Sequence, residues 1–388
     1  MTARGDVEPT GLAALAAAMG AGGASLTVET PDGAVLRAGA DPGRARVVVK
    51  TPAALAALER GEQLAVAEAY LHGAIDVEGD FREVIRVTDH LDMGGFSRWR
   101  EGLTWLRYLL DRRRFDAESV AAHYDRPADF FTAWLDPSRS YTHGFYADEH
   151  DDVATAQRRK LQYAVDVLGA RAGSDVLDVG CGWGSFLEHA GRQGIRVHGL
   201  TLSREQHRYV TELIRAQSLP CTVTLVDFFD YAPSLAFDGA VFMGSLEHIP
   251  DYRFVARFLA RHLKPDASLY ADFVTTREGR LAGAFLRKYI FPGITGYVEL
   301  GRLVGELHTA GFNVAELGDD TLSDAWTVRD WALALERCRT DHAARHGEVA
   351  VRAFLLYLWS SHHFLATNRT QAYHLVATRP PSAGRAGR

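Results

Sequence analysis

Residues 176–186, Val-Leu-Asp-Val-Gly-Cys-Gly-Trp-Gly-Ser-Phe, join a strand to a helix through three glycines. The apolar positions Val176, Leu177 and Val179 predict a buried parallel strand, and Phe186-Leu187 opens a helix. Gly180, Gly182 and Gly184 give the turn left-handed freedom and let a ligand approach the main chain beside helix N–H groups. Dinucleotide-binding folds also carry glycines after a first strand. Here Asp178 stands two residues before the first glycine, and one glycine spacing is shorter than in G-x-G-x-x-G.

Around this turn the pattern alternates. Strands are predicted at 175–179, 195–200, 222–226, 238–243, 267–275, 312–317 and 372–378, with helices between the first five. Alternation at this spacing means a parallel sheet covered on both faces, with ligands at the carboxyl ends of its strands. Residues just after strands are therefore the candidates. After the second strand Ser203 stands three before Gln206, a capping box that competes with a ligand role for Gln206. After the third come Asp227 and Phe228, a hydrogen-bond acceptor and an aromatic edge; after the fourth, Gly244 through Ile249, including Glu247 and His248.

At 388 residues and 47% hydrophobic, the chain has material for two domains and a sizeable core. Residues 1–95 read as a small α+β domain: an alternating hairpin at 25–37 around Pro-Asp-Gly, a strand at 46–50, and a helix from Thr51-Pro52 through Leu58. Residues 96–120 read as a helical linker, with Leu103, Leu106, Leu109 and Leu110 at helical spacing beside Trp99, Trp105 and Arg112–Arg114. Such a helix either lies on anionic lipid or carries solvated arginines between domains. Residues 121–388 form the sheet domain. An apolar, aromatic stretch at about 277–345, including Phe285, Leu286, Tyr289 and Phe291, has the composition of a lid over a greasy tunnel.

A net charge of −6 gives no reason to expect a nucleic-acid partner. Three scattered cysteines, no basic leader and no apolar run of the ~18–20 residues that a span needs predict a cytoplasmic protein, free to touch the inner membrane face. No metal is expected: His362 and His363 are adjacent, so they diverge on a helix. Homo-oligomerisation is left open.

Taken in order, Tyr141-Thr142-His143-Gly144-Phe145-Tyr146, Ala156-Gln157-x-x-Lys160, residues 176–186, Gly199 to Gln206, Glu247-His248 and Phe291-Pro292-Gly293 carry a resemblance. The chain resembles cyclopropane-fatty-acyl-phospholipid synthases and their mycolic-acid cyclopropanating and methylating relatives. The likeness runs from about 120 to 380, and more weakly to Glu68-Ala69-Tyr70-Leu71-His72-Gly73, which looks like the small lipid-associated domain of full-length synthases. It implies an α/β fold, the Rossmann-like seven-stranded sheet of class I methyltransferases with a helical substrate lid. It implies S-adenosyl-L-methionine as cofactor. Tyr141 and Thr142 would close over it, and Gly180, Gly182 and Gly184, with Asp178 ahead of them, would cradle its methionine part. Thr201, Leu202 and Gln206 would hold the ribose side, where many relatives have an acidic residue. Asp227 and Phe228 would meet adenine, with Gly244 beside the sulfonium.

Family chemistry alkylates a cis alkene, and in cyclopropanation a bound bicarbonate then takes the proton. This chain departs from that pattern: His143 stands where the family has Cys, Asp272 where it has His, and Asp324 near the family's Tyr, while Glu247 is retained. Two added carboxylates near Glu247 would repel bicarbonate. The expected activity is C-methylation of an unsaturated fatty-acyl or phospholipid chain to a cyclopropane, methylene or methyl-branched product. Glu247, His143, Asp272, His248 and Asp324 would be the catalytic candidates. The alternative is a secondary-metabolite methyltransferase acting on an amine or isoprenoid.

Overall fold

The computed structural model describes residues 11–39, 43–88, 126–277, 283–291 and 296–381. The linker reading at 96–120 and the Pro292-Gly293 motif lie outside the described residues. Two compact units emerge: one takes the N-terminal block with Gly283–Phe285 and Arg339–His363, the other takes the rest.

In the first unit, β1 (Leu26–Glu29) and β2 (Val35–Ala38) form the hairpin, turning at Gly33 with φ 85°. Strand β3 (Ala45–Val49) runs parallel to β1, and β4 (Ile75–Gly79) closes the sheet antiparallel to β3. Four helices accompany the strands: α1 (Gly11–Ala21), α2 (Pro52–Glu59), α3 (Gln63–Leu71) and α4 (Phe81–Thr88). Thr51 caps α2 by accepting a hydrogen bond from the Ala54 N–H at 3.2 Å, as Thr before Pro should. Arg352, far along the chain, donates to the Tyr70 and Ile75 carbonyls at 2.8 and 3.2 Å and to Asp76 at 2.8 Å.

The second unit opens with α5 (Ala128–Thr132) and α6 (Val153–Val167). It then winds β5 (Asp175–Val179), α7 (Ser185–Gly191), β6 (Arg196–Thr201), α8 (Arg204–Gln217), β7 (Thr222–Leu225), β8 (Phe237–Met243), α9 (Tyr252–His262) and β9 (Leu263–Thr276). α10 (Leu300–Thr309), β10 (Asn313–Asp319), α11 (Thr321–His346) and β11 (Thr370–Thr378) follow, while α11 from Arg339 on and α12 (Glu348–Ala366) as far as His363 belong to the first unit. The seven strands stand in the order β10-β11-β9-β8-β5-β6-β7, with β11 antiparallel to both of its neighbours. The fold is the predicted α/β class. Strand order reverses between β5 and β8, which opens a crevice at their carboxyl ends.

Consecutive residues of β5 serve opposite faces. Leu177 and Val179 join the core under α9 and α10, whereas Val176 joins the core under α6 and α7. This is why Val176, Leu177 and Val179 are all apolar rather than alternating with polar residues, with Asp178 the one polar position among them. One expectation changes: between β7 and β8 there is no full helix but a single 3-10 turn, Phe228–Asp230. The connection is short, and Pro233 cannot supply the N–H that a continuing helix needs. The stretch read as a lid, about 277–345, contains α10, β10 and most of α11, together with a π-helical turn at Leu286–Ile290.

Candidate active site

The crevice at the ends of β5, β6, β7 and β8 is a cleft whose walls include Asp178, Gly180, Gly182, Thr201, Leu202, Gln206, Asp227, Phe228 and Gly244, with Tyr141 and Thr142 across it. The glycine loop is pinned to β6, because the Gly180 and Cys181 N–H groups both donate to the Leu200 carbonyl at 3.0 and 2.9 Å. Gly180, Gly182 and Gly184 all have positive φ, at 80°, 53° and 79°. Their surroundings differ. A Cβ on Gly180 would lie 2.7 Å from the Ser245 Cβ, whereas one on Gly182 would meet nothing within 4 Å. Gly182 therefore faces open space, the cradle that a ligand backbone contact requires. Gly184 does not line the cleft: its Cβ would meet Leu213 and Val210 at 3.2 Å, so it lets α8 pack behind the loop.

The capping box is only half made. Ser203 Oγ accepts from the Gln206 N–H at 3.2 Å, but it is Thr201 Oγ1 that accepts from the Ser203 N–H, at 3.1 Å. Thr201 in turn donates to Gln206 Oε1 at 2.8 Å, which holds the Gln206 amide on the cleft wall. Asp227 Oδ1 accepts from the Phe229 N–H at 2.9 Å and so fixes the turn that carries Phe228. The Phe228 ring itself is wedged among Phe242, Phe254 and Phe258 while still reaching the cleft. Gly244, at φ 62°, donates to the Asp272 carbonyl at 3.1 Å. Sequence reasoning missed Arg139, Trp183 and Ser245 on the walls. Arg139 has a positive φ of 63° and donates to the Trp183 carbonyl at 3.4 Å, a position that no local pattern announces.

Beyond the cleft lies a charged cluster assembled from two of the motifs. Helix α6 buries Ala156, Gln157 and Lys160 on one face, and Gly144 lets the 140–145 segment pass so close that a Cβ there would sit 2.8 Å from the Ala156 Cβ. Gln157 donates to the Thr142 carbonyl at 2.6 Å. The fully buried Lys160 ammonium lies 3.2 Å from Thr142 Oγ1 and 3.5 Å from Asp272 Oδ2. Thr142 donates to Asp272 Oδ1 at 2.6 Å. Burial pulls the Lys160 amine down, with Asp272 opposing. His143 is buried, and its Nε2 lies 3.1 Å from Asp320 Oδ2.

The carboxylates here are not ordinary. Burial raises Glu247 to about 7, Asp324 to about 6 and, on the cleft wall, Asp178 to about 7, each also pushed by Asp272. One Glu247 oxygen accepts from the Val274 N–H at 2.8 Å; the other, Oε2, is sealed from solvent and has no partner among the described residues. His143, Asp272, Asp320 and Asp324 act on one another electrostatically, as expected of one site. Asp320 and Lys160 belong with them and were not singled out as site residues from sequence. His248 stands apart: it lines the cofactor-sized cleft, and burial lowers it to about 4, which leaves the ring neutral.

Residues 111–375 match the family model described as mycolic acid cyclopropane synthetase. The chain belongs to that family. It is 27% identical over 349 residues, 87% of its length and 88% of the other's, to a probable fatty acid methyltransferase of Pseudomonas putida. It is 31% identical over 296 residues, 74% of this chain and 68% of the other, to a probable fatty acid methyltransferase of Mycobacterium tuberculosis. A mycolic acid cyclopropane synthase solved in complex with SAH and CTAB superposes with a TM-score of 0.63 at 23% identity, covering 68% of this chain and 98% of that one. The enzyme is an S-adenosylmethionine-dependent methyltransferase, and the dinucleotide alternative for its glycine loop falls away. Among the described residues, no helix is long and apolar enough to cross a membrane.

Proposed function

We propose that this methyltransferase alkylates the cis double bond of a fatty-acyl or phospholipid chain, and that a protein carboxylate rather than bicarbonate removes the resulting proton. S-adenosylmethionine supplies an already activated methyl, so the chain's own residues have to align substrate and manage charge. Asp178, the open face at Gly182 and the Thr201–Gln206 pair would hold the methionine and ribose parts. Asp227 and Phe228 would meet adenine, Gly244 would lie beside the sulfonium, and Tyr141 and Thr142 would cover it. The alkene pair forms the new carbon–carbon bond and the methyl–sulfur pair stays on sulfur, which leaves a cation on the neighbouring carbon. After a hydride shift, loss of one proton from the new methyl gives a methylene branch; loss with ring closure gives a cyclopropane.

The observation that carries the reading is Glu247. Its Oε2 is buried and unpartnered among the described residues, its other oxygen is fixed by Val274, and its proton affinity sits near neutrality, the properties of a general base. The cations nearby are already matched: Lys160 faces Asp272 and His143 faces Asp320, which leaves an incoming bicarbonate with little to attract it. The relatives named as probable fatty acid methyltransferases support the lipid substrate. We assign the N-terminal block, with Glu68 to Gly73, as the lipid-associated part.

Purified enzyme incubated with methyl-labelled S-adenosylmethionine and a bacterial lipid extract should label phospholipid acyl chains by one CH2 unit. Turnover should be unchanged when bicarbonate is stripped from the buffer. Label found only in small amines or prenyl compounds would overturn the lipid reading. A strict bicarbonate requirement would overturn the assignment of the base.

A further inference from the structure

A line of side chains leads away from His143 that the proposed reaction does not use. Asp320, the residue just before α11, is shared: one oxygen lies 3.1 Å from His143 Nε2 and 2.6 Å from His374 Nδ1 on β11. His374 Nε2 lies 3.2 Å from Glu316 Oε1 on β10, and Glu316 accepts a hydrogen bond from the Tyr163 hydroxyl of α6 at 2.6 Å. The buried ring is thus tied, through one carboxylate and a second imidazole, to a half-exposed glutamate at the sheet edge. The β10–β11 register sets Gly318 opposite His374, and a Cβ on Gly318 would fall 2.1 Å from the His374 ring. Only glycine leaves room for that imidazole to lie across the strand. Among the described residues, no three His, Cys, Asp or Glu are grouped to hold a metal ion.

We propose that Asp320 and His374 are positioning residues for His143, and that the chain Glu316–His374–Asp320–His143 fixes the imidazole in one orientation within electrostatic reach of Glu247. This rests on the reading of Glu247 as the base. The charged groups that act on the ring are Asp320 just before α11, Asp324 of α11, Asp272 of β9 and Glu247 after β8; behind them, Tyr270 of β9, Lys160 of α6 and His374 of β11 act on Asp320 or Asp272. Burial by itself would discharge His143, but the Asp320 hydrogen bond and the Asp320, Asp272 and Asp324 carboxylates outweigh it and raise the ring to about 9. The imidazolium in turn lowers the proton affinity of Glu247 and Asp324, and so helps to hold Glu247 at about 7 against the pull of burial. Without Asp320 the ring discharges, Glu247 holds its proton to higher pH, and turnover near neutrality falls.

The test uses the full-length enzyme, labelled S-adenosylmethionine and vesicles of dioleoyl phosphatidylglycerol, with calorimetry of cofactor binding as the control for folding. In Asp320→Asn, cofactor affinity should hold, kcat near neutral pH should drop by about tenfold or more, and the acidic limb of the pH–rate profile should move to higher pH. His374→Gln and Gly318→Ala should move the limb the same way by a smaller step, and both leave the Asp320 carboxylate in place. Nitrogen NMR of the His143 ring, assigned with His143→Gln, should titrate near 9 in the wild type and well below it in Asp320→Asn. An unshifted limb, or a His143 titration that ignores Asp320, would overturn the proposal. If the wild type fails to methylate the vesicles, the substrate reading fails, but the NMR titration still decides the His143 chain.

Discussion

Asp178 shows how a single residue joins the cleft to pH. Its carboxyl is buried and raised to about 7, the Asp272 charge adding to the cost of burial. S-adenosylmethionine is cationic, so bringing it into the cleft favours the ionised carboxylate and releases a proton. Cofactor affinity should therefore rise as pH passes through about 7, with proton release visible by calorimetry in buffers of different ionisation enthalpy. Asp178→Asn should abolish both effects. Lys160 is the second case. Lys160→Met strands a buried Asp272 carboxylate and should cost about 3–5 kcal/mol in chemical denaturation, part of which Asp272→Asn should restore in the double variant. Sequence reading reached Asp178 because it belongs to a local motif. It quoted Lys160 without a role, since only the fold brings that ammonium to Asp272.

At the scale of elements, three glycines that look alike in sequence do different work. Gly180 clears Ser245, Gly182 opens the cleft and Gly184 clears α8. Gly182→Ala should cost about 1–2 kcal/mol from its left-handed backbone and weaken cofactor binding, while Gly184→Ala should lower stability with a smaller effect on binding. Thermal melts with and without cofactor separate the two. The order of strands was legible because each is a short apolar run between turn signals, and six of the seven fall within two residues of their predicted ends. The exception, β9, begins at Leu263 rather than 267, before Lys264-Pro265-Asp266. That start is kept by pairing with β8 and by a positive φ at Asp266, neither of which periodicity reports.

For the whole molecule, the buried ionisable groups set the response to pH. Asp178, Glu247 and Asp324 bind protons more tightly folded than unfolded, so their contribution falls as pH rises from the ordinary carboxylate range to about 6 to 7. His143 is also raised, to about 9; its stabilisation is complete below the ordinary imidazole range and disappears as pH passes that value. His248, lowered to about 4, acts in the opposite sense up to the ordinary imidazole range, but it is one group against three raised carboxyls, so the melting temperature without cofactor should still decline from about pH 5 to about pH 7. A flat or rising curve would contradict the burial of this cluster. By itself the sequence determined the α/β sheet and the glycine loop, because those follow from residues close together in the chain and from the period of burial, and the class of cofactor came with the family resemblance that its motifs carry. Only the tertiary structure decided that His143 meets Asp320, 177 residues away, and that Arg352 meets Asp76 across 276. A charge's partner and proton affinity depend on what folding places beside it and on how far water is excluded, and neither quantity is written in local sequence.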